Sequence, residues 1–238
     1  MKIKILLVTI ALLCLGLLAH ADSFTIYGSR AAQPATDVID WGQLGAPGTS
    51  VGTPALVSTF DGNPALVGNI GGGDFIAAQE GANWFGGFDF GENLVWTGNS
   101  SFGIGGGGPF AIEFAVPVSS FGFSIEADLI APYDATITVF DTSFNPMIIQ
   151  PFHEPRAGCG FANSCVMFIG MGDLAGANIG AIEISTDSGD PTFLNDFAID
   201  DVTLGYGSAA PVPEPGSLLL IGTGLVGAAG VLRRKLNL

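Results

Sequence analysis

Carboxylates are the reactive groups this chain has in quantity, and their spacing decides what chemistry they can support. Glu113, Glu126 and Glu183 fall on the polar parity of alternating segments, which would set a carboxylate row on one face of a β-sheet. Paired carboxylates are what glycoside hydrolysis requires, one as the acid and one as nucleophile or base. No segment carries two acids in alternation with a third close by, so a solvated sheet face accounts for the same residues. His153 is the one histidine beyond residue 21 and sits in the turn-like Pro151-Phe-His-Glu-Pro155. A Ser-His-Asp arrangement would have to be built around it with no nucleophile elbow. The runs Gly71-Gly-Gly and Gly105-Gly-Gly-Gly lack the lysine and helix start of a phosphate loop. We therefore expect a protein without catalytic residues.

Two binding chemistries remain. Asp200 and Asp201 close the last apolar segment and, with Asp128 or Asp89, would supply hard oxygens to Ca²⁺. A solvated turn in a calcium-free domain explains the same acids, and no EF-hand spacing is present. Trp41, Trp84 and Trp96, with Tyr27 and Tyr133, would form a stacking platform for sugar rings. Core packing is the competing fate for each of them.

Charge narrows the partners. Between residues 22 and 207 there are 21 acidic side chains against only Arg30 and Arg156, a net charge of −19. Nucleic acid and anionic membrane surfaces are poor partners for such a field, whereas hard cations are attracted. Beyond Cys14 the cysteines are Cys159 and Cys165, set in a short loop with Gly, Asn and Ser. In an oxidising compartment they are expected to pair as a local disulfide.

The elements that must position these groups read as strands. Alternation is clear in 110–116, 120–126, 135–140 and 181–185, with Phe, Ile or Val on one parity. Further strands are expected at 23–27, 55–60, 74–78, 94–97, 165–169 and 193–204, with no amphipathic helix among them. That count predicts an all-β, two-sheet antiparallel sandwich of jelly-roll type. Glycines thin the pattern between residues 62 and 108 and leave its register open.

Two apolar segments frame the domain. Residues 1–21 carry Lys2 and Lys4, an apolar run, and Ala19-His-Ala21 as a cleavage site, the form of a signal peptide. Residues 208–215 read as a linker, 216–232 as an uncharged helix and 233–238 as a basic tail. That helix would reach about 25 Å, marginally short of a ~30 Å hydrocarbon core. Arg233, Arg234 and Lys235 place the tail in the cytoplasm and the domain outside. Prolines 213 and 215 keep the preceding stretch extended and accessible.

Pro213, Glu214 and Pro215, a glycine-containing apolar helix and the terminal Arg233 and Arg234 cluster together resemble the PEP-CTERM sorting signal. The resemblance spans residues 212–238. It implies recognition by an exosortase, a membrane-embedded transpeptidase-like enzyme of Gram-negative, often exopolysaccharide-producing bacteria, and removal of the tail. Residues 117–127 and 195–205 resemble strands of jelly-roll ectodomains in secreted proteins of this kind. An exported surface or matrix protein with a structural or adhesive role is therefore expected, with exopolysaccharide as a partner; a carbohydrate-binding module is the alternative.

Overall fold

The computed structural model describes residues 24–98, 106–129, 131–154 and 165–207. The cleavage residues Ala19 and Ala21, Cys159 with its expected disulfide, and everything from residue 208 onward lie outside them. So do the expected signal helix and the tail helix with Pro213, Glu214, Pro215, Arg233 and Arg234. Among the described residues no helix is long and apolar enough to cross a membrane.

Fifteen strands form among the described residues. They are β1 (Phe24–Tyr27), β2 (Asp37–Ile39), β3 (Ser50–Val51), β4 (Ala55–Ser58), β5 (Pro64–Asn69), β6 (Phe75–Gln79), β7 (Asn93–Trp96) and β8 (Phe110–Val118). The rest are β9 (Ser120–Ala127), β10 (Tyr133–Asp141), β11 (Pro146–Glu154), β12 (Met167–Asp173), β13 (Ile179–Asp187), β14 (Phe197–Ile199) and β15 (Val202–Gly205). They pair antiparallel into two sheets. The first runs β1-β12-β9-β14-β7-β6-β3, with β15 beside β9 and β2; the second runs β11-β10-β13-β8-β5-β4.

Alternation puts the core between the sheets. On β10, Tyr133, Ala135, Ile137 and Val139 point inward while Asp134, Thr136 and Thr138 point out. Phe110 and Ile112 of β8 and Ile182 and Ile184 of β13 join them and meet Phe121, Phe123, Ile125, Ile169, Phe197 and Ile199 from the other sheet. Each such side chain contributes roughly 1.5–3 kcal/mol by leaving water. Trp41 and Phe75 contact Phe110 edge-on, with centroids 6.4 and 5.4 Å away.

The first sheet is covered on its outer face as well, which explains why β9 is buried almost throughout. The single turn of 3-10 helix at Arg30–Ala32 and Gln33 lie over it. Gln33 Nε2 donates to Thr203 O and its Oε1 accepts from Thr203 Oγ1. Gly122 lies beneath, and a Cβ there would meet Gln33 Oε1 at 2.2 Å and displace that side chain. Further along, Trp84 and Phe88 pack with Ala78, Leu94 and Ala198 into a second apolar cluster.

Two expectations change. The expected strand at 193–204 is two short strands after a 3-10 turn at Pro191–Phe193. Ile199 pairs Ile125 and Thr203 pairs Gly122, so the chain gains one residue between them. Asp200 and Asp201 form this bulge, where the strand leaves β7 and takes β2 as its outer neighbour. Strands β2, β3, β5 and β11 were not expected. Pro146 and Pro151 make 146–154 look like a turn, yet β11 is an edge strand, where proline is tolerated.

Candidate functional site

The bulge gathers the most chemistry. Asp200 Oδ2 accepts from Arg30 Nη2 at 2.6 Å, and its Oδ1 accepts from Ser124 N at 2.6 Å. Arg30 Nη1 donates to Asp201 O at 3.0 Å, and the guanidinium lies 5.7 Å from the Phe168 ring centroid. Burial pushes the Asp200 carboxyl up while Arg30 opposes the shift. Asp201 is raised to about 6, first by burial and then by the charges of Asp40 and Asp200. Burial and the Asp200 charge likewise raise Glu92.

These acids do not form the expected calcium site. Both oxygens of Asp200 are committed, Asp128 faces Glu126 and Asp196, and Asp89 is exposed on a loop. Among the described residues no three His, Cys, Asp or Glu side chains are grouped to hold a metal ion. The Asp200-Asp201 pair stabilises a backbone irregularity instead, because its Arg30 partner comes from a segment 170 residues away.

The tryptophans do not form an exposed platform either. Trp41 is 1% exposed and donates Nε1 to Asp200 O at 2.7 Å. Trp84 is 5% exposed and donates to Glu126 Oε2 at 3.3 Å. Trp96 is half-buried, donates to Asp196 Oδ1 at 2.7 Å, and meets Trp84 edge-on at 5.9 Å. The reason is polar as much as apolar: each indole N–H satisfies a carbonyl or carboxylate inside the fold. Tyr133 is buried too, its hydroxyl donating to Ile125 O or Cys165 O. Replacing Trp41 by Phe leaves the Asp200 carbonyl without that donor and should cost about 1–3 kcal/mol. A fall in urea midpoint at unchanged slope would show it.

The carboxylate row also divides. Glu113 lies opposite Ala181 and Glu183 opposite Ala111 on the outer face of the second sheet, whereas Glu126 is buried in the first. Glu126 Oε2 accepts from Gly87 N at 2.9 Å. Asp196 is the least expected member of this group. It is fully buried, its Oδ2 has no hydrogen-bond partner, and its carboxyl is held up at about 6 by burial and the Asp128 charge against the Trp96 donor. Burial raises Glu80 and Asp128 in turn.

On the second sheet His153 Nδ1 lies 2.5 Å from Asp134 Oδ1, with both side chains mostly exposed. They share a 240 Å³ cleft with Ser188. Ser188 Oγ has no hydrogen-bond partner, so the link from nucleophile to base that activates serine is not formed. Arg30 and Asp196 went unforeseen. One signal was available, since Arg30 is one of two basic residues in a domain of 21 acids.

Comparison with known proteins identifies a sorting motif in the tail. Residues 211–235 match the PEP-CTERM protein-sorting motif. No curated protein matches the chain. Among solved structures, a DUF4465 family protein from Bacteroides caccae is similar over 76% of this chain and 98% of its own, at 13% identity and TM-score 0.40. The enzymatically active domain of tailspike protein 4 of bacteriophage CBA120 is similar over 70% of this chain and 20% of its own, at 13% identity and TM-score 0.29. A mutant family 29 carbohydrate-binding module is similar over 81% of this chain and 99% of its own, at 12% identity and TM-score 0.26. At these scores none of the three bears on what the domain does.

Proposed function

We infer that this exosortase-sorted extracellular protein, which carries its sorting motif at residues 211–235, has a non-enzymatic structural or adhesive role in the exopolysaccharide layer of a Gram-negative bacterium. The signal peptide leaves after Ala21, and the 216–232 helix holds the chain in the inner membrane with Arg233 and Arg234 inside. Exosortase then acts near Pro213, Glu214 and Pro215 and frees a jelly-roll-like sandwich, closed by a Cys159–Cys165 disulfide, to the surface. The observation that carries the reading is the sorting motif. It is supported by a domain whose buried acids and indoles are engaged with one another and with backbone rather than with an open cleft.

The acidic surface disfavours attachment to anionic membrane. Burial of Trp41 and Trp84, with Trp96 only half-exposed, disfavours a carbohydrate platform built from these three rings. The test compares the processed protein in the parent host and in a strain unable to make the polysaccharide. Retention with the cells in the first and loss to the medium in the second is expected; equal release from both would refute a role in that layer. In the parent host, Glu214→Ala with Pro213→Ala should leave an uncut chain in the inner membrane, read by its intact mass.

A further inference from the structure

We propose that the tip of the β10–β11 hairpin, with the cleft it forms against β8 and β13, is a subsite for a neutral hexopyranose unit of the extracellular polysaccharide. It rests on the surface-layer reading and adds the place where the polymer is held.

Phe144 sits at the tip with φ of 61°, a left-handed conformation that glycine or asparagine adopts readily and a bulky side chain rarely does. The residue is 58% exposed, so the fold gains little burial from phenylalanine there. The turn is nonetheless firmly held. Phe144 N donates to Asp141 O at 3.1 Å and Asp141 N to Asn145 O at 2.9 Å. Asp141 Oδ1 accepts from Ser143 N and Asn145 N, and Oδ2 from Asn145 Nδ2. An aromatic ring in an unfavourable backbone region, fixed by five hydrogen bonds and facing water, fits a binding group better than a packing group.

The ring lines a 160 Å³ cleft with Glu113, Ala115, Pro117, Thr142 and Gly180. A Cβ at Gly180 would approach Asp141 O to 2.6 Å and Thr142 Cα to 2.8 Å, so only glycine lets the base of the hairpin close over β13. A pyranose has an apolar C–H face and a rim of hydroxyls. The Phe144 ring takes the face, while Glu113 and the Thr142 hydroxyl take the rim. The domain charge of −19 repels uronate chains and selects neutral ones. A subsite with one aromatic ring binds weakly, so the oligosaccharides are titrated at high concentration.

Calorimetric titration of the processed protein with neutral gluco-, manno- and galacto-oligosaccharides, and with an oligogalacturonate of equal length, tests this. Binding to at least one neutral oligomer and none to the uronate is expected. Phe144→Gly should weaken binding roughly three- to tenfold. The same change should leave the melting temperature unchanged or raise it, because glycine relieves the left-handed backbone. Glu113→Gln provides a second variant with the cleft's shape kept, and is also expected to bind more weakly. Unchanged binding by Phe144→Gly, binding of the uronate alone, or no binding to any neutral oligomer would each overturn the subsite. The surface-layer reading fails separately, if the parent protein is released equally with and without the polymer.

Discussion

Replacing Arg30 by methionine should destabilise the domain by about 1–3 kcal/mol, less than the loss of one partner from a fully buried ion pair because the Arg30 side chain is 36% exposed and partly screened by water. The guanidinium is the neutralising charge for Asp200, whose side chain is only 6% exposed. It also binds Asp201 O and covers Phe168, so three contacts are lost together. Asp200 would then stand beside Asp201 and Glu92, whose charges already disfavour one another. The bulge should open first, and with it the pairing of β15 to β2 and β9. Adding Asp200→Asn to Arg30→Met removes the stranded charge and should restore part of the loss, a coupling measurable by a double-mutant cycle. Additive losses across the cycle would show that the pair does not matter to the bulge.

Stability should also fall as pH rises from about 4 to about 6. In the unfolded chain the Asp196 carboxyl loses its proton near 3.8, whereas in the fold it keeps it until about 6. The folded state therefore binds more protons across that window, and stability declines through it. The full penalty above the window is about 3 kcal/mol for this fully buried group. Asp201 rises to a similar value and acts in the same direction, less strongly because it is part-exposed. Asp37 behaves oppositely: burial raises it, but hydrogen bonds from Thr59, Val38, Asp61 and Asn63 outweigh burial and hold it low. Its contribution is lost only below its ordinary range, outside the window. Urea midpoints at pH 4.5 and 7.5 should differ accordingly, and Asp196→Asn should flatten the difference. A midpoint that rises toward neutral pH would contradict the account.

Much of the sandwich was legible because the outer face of these strands takes Ser, Thr, Gly, Ala or Glu against Phe, Ile or Val inside, whether that face is wet as on β10 or covered as on β9. Segments 110–116, 120–126, 135–140 and 181–185 became β8, β9, β10 and β13, each extended by one or two residues at one end or both. Legibility failed where another rule was in force. Pro64, Gly68 and their glycine-rich surroundings hid β5, and the prolines of β11 resembled a turn because nothing local marks a strand as an edge. The Asp200-Asp201 pair looked like a cation site because a bulge and a ligand loop both place acids at a break in a strand. Only the position of Arg30, 170 residues earlier, separates the two. The tryptophans misled for a related reason: composition cannot say which indoles find an acceptor inside. The tail behaved differently. Its three parts are local and ordered along the chain, so no folding was needed to recognise them, and the sorting motif was found where they lie.

We hold that this acidic sandwich is made to be cut from its tail and left outside the cell. Intact mass and fractionation of the protein from its host, with and without exosortase, decide this. The expected product lacks residues 1–21 and the tail beyond the Pro213-Glu214-Pro215 stretch, and is found outside the cell only when the enzyme is present. A chain with its tail intact in the inner membrane of both strains would contradict it.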